Sequence, residues 1–160
     1  MKYGMLILLA CVLSPLTACA RDEHQRVGDL VVSVPWARET PPNAPVAGGF
    51  LTVQNKGRTD DRLMSVESLA AARVEIHEVR EDGGVARMRQ VQGGLPIAAG
   101  KTVVLKPGGY HLMFIRPTER WVAGDKVKTT LIFQNAGRVE VLFDVRSLTG
   151  QAASHDQSHH

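Results

Sequence analysis

The stretch Lys106–Pro117, KPGGYHLMFIRP, decides how this part of the chain folds. Tyr110, Leu112 and Phe114 occupy alternate positions, which is typical of a β-strand with one face in the core. His111 and Met113 then share the opposite, outward face of the same strand. A soluble domain gains little by exposing a methionine beside a histidine, so we expect this face to bind a ligand.

Similar short strands recur along the rest of the chain. They are rich in Val, Ile, Leu and Thr, are separated by Gly, Pro and Asn turns, and leave no dozen residues with a helical period. The pattern predicts strands over residues 30–34, 50–54, 62–68, 74–79, 85–91, 102–106, 110–115, 127–133 and 139–145. The fold class is therefore all-β, a sandwich or barrel of eight or nine short strands with Greek-key links.

Length and charge restrict the possible functions. A chain of 160 residues favours one domain, and a formal net charge of +3 without a Lys/Arg run gives no nucleic-acid surface. No Ser/His/acid arrangement and no pair of carboxylates suited to acid–base work is recognisable, so we expect a binding protein and not an enzyme.

Residues 1–18 predict a secretory signal peptide of the lipoprotein type. The apolar run 5–13 is too short to span a bilayer, and Leu16-Thr17-Ala18-Cys19 resembles a bacterial lipobox. Cys19 would then be lipidated and become the first mature residue. The alternative is ordinary cleavage after Ala18-Cys19-Ala20, which has the A-x-A form. Both alternatives place the protein in the periplasm. An Asp directly after the lipidated Cys would favour retention in the inner membrane, so Ala20 favours a lipid anchor in the outer membrane.

The mature chain divides into three parts. Residues 19–28 are polar and predict a tether, residues 29–148 predict the folded domain, and residues 149–160 predict a mobile, His-containing tail. Cys11 lies in the signal peptide and Cys19 precedes the domain. The folded domain therefore has no disulfide, thiolate zinc site, cysteine nucleophile or blue-copper site.

A β-hairpin adds two more candidate ligands. A turn centred on Asp82-Gly83, within the segment 81–84, would pair His77 directly with Met88. Their Cβ atoms would then lie about 4.5–5.5 Å apart. The same register sets Glu78 against Arg87, which favours it. Met64, beside Leu63, is expected in the core.

Two histidines and two methionines indicate a particular metal. Thioether is a soft ligand that suits Cu(I), and imidazole binds either oxidation state of copper. Zinc prefers Cys, His or carboxylate, whereas calcium and magnesium prefer oxygen. The set His77, Met88, His111 and Met113 therefore predicts a surface Cu(I) site in a domain that lacks thiolates.

The spacing of these four residues resembles the H(M)-x10-M-x21/22-H-x-M motif of the PCu(A)C periplasmic copper chaperones. The resemblance extends from about Leu30 to Leu148, and further segments match sequences that are usual in the family. These are Trp36-Ala37-Arg38, Thr40-Pro41-Pro42, Val74–Glu78, Leu105–His111, Gly124–Val127 and Thr130–Phe133. Val79 and Arg80 stand where many members carry additional methionines, which argues against further copper ions at this hairpin.

The resemblance implies a cupredoxin-like domain that binds Cu(I) through His77, Met88, His111 and Met113. It implies delivery of copper to the CuA centre in subunit II of cytochrome c oxidase or to a thioredoxin-like copper chaperone. We expect the protein to be a monomer. Some members carry a His-containing tail, so His155, His159 and His160 are candidate ligands of a second, weaker Cu(II) site; the alternative is a solvated tail.

Two other functions are compatible with the sequence. A periplasmic protein that sequesters copper for resistance would share the same site but would not deliver the ion. A metal-free structural lipoprotein would carry the four residues by coincidence. The genes beside this one would help to separate delivery from sequestration, and a Cu(I) titration would test the metal-free alternative.

Overall fold

A computed structural model describes residues 24–147, which form eleven β-strands and no helix. No helix long and apolar enough to cross a membrane occurs in this part of the chain. The all-β prediction is confirmed. The strands are β1 His24–Val27, β2 Leu30–Arg38, β3 Val46–Asn55, β4 Asp61–Glu67, β5 Ala71–Asp82, β6 Val85–Gln90, β7 Leu95–Ile97, β8 Thr102–Leu105, β9 His111–Pro117, β10 Lys126–Phe133 and β11 Arg138–Arg146.

Seven of these strands close into a barrel. Their order is β2-β11-β10-β4-β5-β9-β3, and β3 pairs back onto β2. The pairing of β2 with β11 is parallel, and the other pairs in the ring are antiparallel. The remaining strands add to the ring, so that β1 pairs with β2, β6 with β5, β7 with β4 and β8 with β3.

The prediction of eight or nine strands was too low by two or more. The polar segment His24–Val27 was expected to lie in a tether, but it pairs residue by residue with Leu30–Ser33 through a tight turn at Gly28. Leu95–Ile97 was missed because it is only three residues long and contains Pro96. Both strands are too short to show an alternating pattern of their own.

The inner face of β9 lies at the centre of the core. Leu112 and Phe114 are fully buried, as the alternation predicted. The Phe114 ring meets Trp121 and Phe143 edge to face, at centroid distances of 5.0 and 5.9 Å. Gly49 on β3 makes room for it, since a Cβ atom there would lie 2.6 Å from the Phe114 ring.

Met64 corrects another expectation. It was predicted in the core, but its side chain is exposed, whereas Leu63 and Val66 point inward. The register between β4 and β10 shifts between Ile132 and Phe133, and the shift leaves Met64 without a paired residue on β10. A β-bulge of this kind inserts an extra residue and turns its side chain away from the alternating pattern.

Candidate metal centre

His77 on β5 and His111 on β9 lie directly opposite each other in the antiparallel pair. Their ring centroids are 5.8 Å apart, and the ring planes are tilted by 52°. An ion bound to an imidazole nitrogen lies one metal–nitrogen bond, about 2 Å, plus one ring radius from the ring centroid. Two such distances add up to a value close to the observed separation. The two rings are therefore spaced so that one ion can lie between them.

The proton on the His111 ring is fixed by the backbone. Its Nδ1 lies 3.0 Å from the carbonyl oxygen of Gly109. Because a carbonyl only accepts hydrogen bonds, Nδ1–H must be the donor, and the neutral ring then carries a lone pair on Nε2. The same carbonyl also accepts the backbone N–H of Val79 at 3.2 Å, which ties the end of this loop to β5.

The proton on the His77 ring is fixed by a carboxylate. Its Nε2 lies 2.8 Å from Oε2 of Glu75, two residues earlier on the same face of β5. Oε1 of Glu75 accepts a hydrogen bond from Nε of Arg73 at 2.6 Å. The hydrogen bond from Arg73, followed by that from His77, lowers the pKa of the Glu75 carboxyl below its usual value. An ionised carboxylate only accepts, so the neutral His77 ring has its lone pair on Nδ1.

The two lone-pair nitrogens have no partner. Within residues 24–147, Nδ1 of His77 and Nε2 of His111 are buried and make no hydrogen bond, a condition that they share only with Nε1 of Trp121. An unsatisfied buried polar atom costs about 1–3 kcal/mol. A cation bound to both nitrogens would take both lone pairs, and the 5.8 Å between the ring centroids is compatible with one ion.

The thioethers occupy the same face in two different settings. Met113 lies two residues after His111, opposite Glu75 on β5 and Gly48 on β3, and is half-buried. Met88 lies on β6, which pairs only with β5, and its side chain is exposed.

The predicted hairpin register was wrong by two residues. The turn consists of Gly83 and Gly84, with φ of 59° and 81°, so Met88 pairs with Val79 while His77 pairs with Gln90. Met88 is thus a diagonal neighbour of His77 and not its direct partner. A two-residue hairpin turn of type I′ has positive φ at both central residues, a conformation that glycine adopts without steric cost.

The expected outward exposure of His111 was also wrong. The residue is on the outer face of β9 but is 6% exposed, and the His77 side chain is 13% exposed. β9 lies between β5 and β3, so it is not an edge strand, and both of its sides are covered by neighbouring strands. The site is therefore a buried pair of imidazoles next to one half-buried and one exposed thioether.

Glu75 and Arg73 are site residues that were not predicted from the sequence. They precede His77 at intervals of two residues, so the same alternation that placed the histidines on one face would have found them. Within residues 24–147 no cluster of three His, Cys, Asp or Glu side chains suited to a metal ion occurs. Cys19, His155, His159 and His160 lie outside the described residues.

Comparison with known proteins identifies the family. The family model described as "Putative lipoprotein LpqE-like" matches residues 30–145, most of the barrel. The chain belongs to the LpqE-like family. A relative named "Putative lipoprotein Lxx21020", from Leifsonia xyli subsp. xyli, is 28% identical over 149 residues, which cover 89% of each chain.

Solved structures share the fold of this LpqE-like chain. The copper-bound PCuAC domain from PmoF2 is 22% identical and superposes with a TM-score of 0.67, over 78% of this chain and 97% of that domain. The solution structure of CuI-DR1885 from Deinococcus radiodurans is also 22% identical, with a TM-score of 0.60 over 82% and 86% of the two chains. The resemblance to PCu(A)C proteins and the cupredoxin-like fold predicted from it are confirmed.

Proposed function

We propose that this protein is an extracytoplasmic copper chaperone that binds one Cu(I) ion through His77, Met88, His111 and Met113. The observation that carries the proposal is a pair of buried imidazole nitrogens without hydrogen-bond partners, on two rings whose centroids are 5.8 Å apart. The presence of copper in a PCuAC domain of the same fold supports it. The absence of Cys from residues 24–147 leaves thioether as the soft ligand that completes the site.

The different exposure of the ligands suits transfer of the ion. The two histidines donate hydrogen bonds to the Glu75 carboxylate and to the Gly109 carbonyl, and they are shielded from solvent. Met88, on the exposed strand β6, is 52% exposed and is the ligand that an incoming protein would reach first. Displacement of one accessible thioether opens the coordination shell without unfolding the barrel.

A Cu(I) titration under anaerobic conditions, with a chromophoric chelator as competitor, tests the binding step. We expect one ion per chain, weaker binding after each of His77→Ala, Met88→Ala, His111→Ala and Met113→Ala, and sulfur scatterers in the X-ray absorption spectrum. A parent protein that takes up no Cu(I), or a loaded protein without sulfur scatterers, would refute the site. The first result would favour a metal-free structural lipoprotein.

Delivery is tested separately from binding. We propose that the acceptor is the CuA domain in subunit II of cytochrome c oxidase or a thioredoxin-like copper chaperone. Mixing the Cu(I)-loaded protein with each purified apo acceptor should move copper to at least one of them, as followed by metal analysis after separation. Retention of copper against both acceptors would instead favour sequestration.

We propose further that Cys19 anchors the protein by lipid to the periplasmic side of the outer membrane. The family description and the name of the Leifsonia relative both contain the word lipoprotein, which supports an extracytoplasmic location. Cys19→Ala should abolish labelling with a radioactive fatty acid. A natural mature form that is soluble and begins at Arg21 would contradict the anchor.

The tail carries a separate proposal of a weaker Cu(II) site formed by His155, His159 and His160. Truncation after Ser147 should leave Cu(I) binding unchanged and remove one Cu(II) equivalent. Equal Cu(II) stoichiometry in the two forms would exclude a tail site.

A further inference from the structure

The outer face of β5 carries a row of hydrogen-bonded side chains that extends beyond the proposed ligands. Arg73, Glu75 and His77 are spaced two residues apart and therefore lie on one face. Nε of Arg73 donates to Oε1 of Glu75 at 2.6 Å, and Oε2 of Glu75 accepts from Nε2 of His77 at 2.8 Å. Each carboxylate oxygen thus has its own donor, so the carboxylate is held at both ends.

This arrangement leaves one nitrogen of His77 free to bind an ion. The hydrogen bond to Glu75 occupies Nε2, whereas Nδ1 is buried and without a partner. If the ring were turned over about χ2, a carbon atom would take the place of Nδ1, and the hydrogen bond from Nε2 to Glu75 would be lost. Histidine ligands commonly donate their second ring N–H to a carboxylate, and loss of such an outer partner costs about 10–100-fold in metal affinity.

The two histidines differ in how their rings are fixed. His111 donates to the backbone carbonyl of Gly109, which no side-chain substitution removes. His77 depends on a side chain, and that side chain depends in turn on Arg73. A change at Glu75 should therefore alter one of the two rings and leave the other as an internal reference.

We propose that Glu75, held by Arg73, is a positioning residue that fixes the His77 ring so that Nδ1 is its copper-binding atom. This inference rests on the proposed function, because it names the atom through which one proposed ligand acts. Glu75 itself does not bind the ion in this proposal and acts only through the orientation of the His77 ring.

The chain offers a matched control on the same strand. Glu78 pairs with Nε of Arg80 at 2.9 Å, so it belongs to a similar acid–arginine pair. As the direct neighbour of His77 in sequence, Glu78 lies on the opposite face of β5. Glu78→Ala therefore removes a comparable ion pair and leaves the metal face unchanged.

The experiment combines ring-nitrogen NMR of the full apo chain with Cu(I) titration. In the parent, long-range 1H–15N spectra should show a proton on Nε2 of His77 and on Nδ1 of His111. Glu75→Ala should give a mixture of His77 tautomers, unchanged His111 signals and an affinity about 10–100-fold lower. Glu75→Gln, whose amide oxygen still accepts a hydrogen bond, should have a Cu(I) affinity between those of the parent and Glu75→Ala. Arg73→Ala should shift the same His77 signals. Glu78→Ala should have the parental spectrum and the parental Cu(I) affinity.

Two results would overturn the inference while leaving the proposed function intact. The first is that Glu75→Ala keeps the parental His77 tautomer and the parental Cu(I) affinity. The second is that Glu78→Ala lowers Cu(I) affinity as much as Glu75→Ala does. Failure of the parent itself to bind Cu(I) would instead overturn the proposed function, and this inference with it. The NMR spectra also show directly whether each variant is folded.

Discussion

At the scale of single residues, the site depends on which atoms already have partners. His77 and His111 each have one ring nitrogen in a hydrogen bond and one that is buried without any. The barrel gains no stability from such an arrangement, because a buried polar atom without a hydrogen-bond partner costs free energy. The pair is therefore better explained by what it binds than by how the chain folds.

Met88 gives the most direct prediction at this scale. Met88→Ala should lower Cu(I) affinity by at least the 10–100-fold that loss of an outer partner costs. It should change the free energy of unfolding by less than about 0.5 kcal/mol, since the side chain is on the surface. Met64→Ala is the matched control, because that methionine is similarly exposed and lies on β4. Equal Cu(I) affinities for the two variants in a competition titration would show that Met88 is not a ligand.

At the scale of elements, the hairpin of β5 and β6 shows what sequence could and could not predict. The alternation of side chains along the strands predicted that Met88 and His77 share a face. This prediction is correct although the register was wrong, because a shift of two residues leaves every side chain on its original face. Direct opposition was wrong because two adjacent turns, Asp82-Gly83 and Gly83-Gly84, are both sound hairpin turns, and pattern alone does not choose between them.

Other features of the site were beyond a pattern-based prediction. The burial of His111 depends on β5 and β3 lying on either side of β9, which is a property of the closed barrel. The roles of Arg73 and Glu75 depend on which carboxylate oxygen meets which donor, and so on side-chain rotamers. The faces of the long strands, by contrast, follow from a period of two and were predicted correctly for Leu112 and Phe114.

Moving the thioether along β6 tests whether the face of the strand decides binding. In the double variant Met88→Gln/Gln90→Met the thioether stays on the metal face and comes directly opposite His77, so we expect much of the Cu(I) affinity to remain. In Met88→Arg/Arg89→Met it moves to the opposite face, and affinity should fall to that of Met88→Ala. Both variants preserve composition within β6. Equal affinities for the two would show that the face of β6 does not control the site.

At the scale of the whole molecule, β9 separates stability from function between its two faces. Its inner face supplies Leu112 and Phe114 to the core, and its outer face supplies His111 and Met113 to the proposed site. The barrel closes around the inner face and leaves the outer face to vary with little effect on the core. Stability and metal affinity should therefore respond to different substitutions within the same strand.

His111→Leu puts that separation to a quantitative test. In the metal-free protein the substitution removes an unsatisfied buried nitrogen, which costs about 1–3 kcal/mol, and one hydrogen bond, which contributes about 0.5–1.5 kcal/mol. The Gly109 carbonyl keeps its hydrogen bond from the Val79 N–H, so no new unsatisfied group is created. Stability in chelator-treated urea melts should stay the same or rise by about 1 kcal/mol, while Cu(I) affinity collapses.

Phe114→Ala is the counterpart on the inner face of β9, and it should cost about 3–5 kcal/mol because it empties part of the core. Where this variant still folds, its Cu(I) affinity should remain near the parental value, since the substitution leaves all four proposed ligands unchanged. If His111→Leu instead lowered the free energy of unfolding by more than about 2 kcal/mol, the loss would exceed the contribution of the one hydrogen bond that it removes. The imidazole would then stabilise the metal-free barrel. The unpaired nitrogens would then no longer argue for a metal.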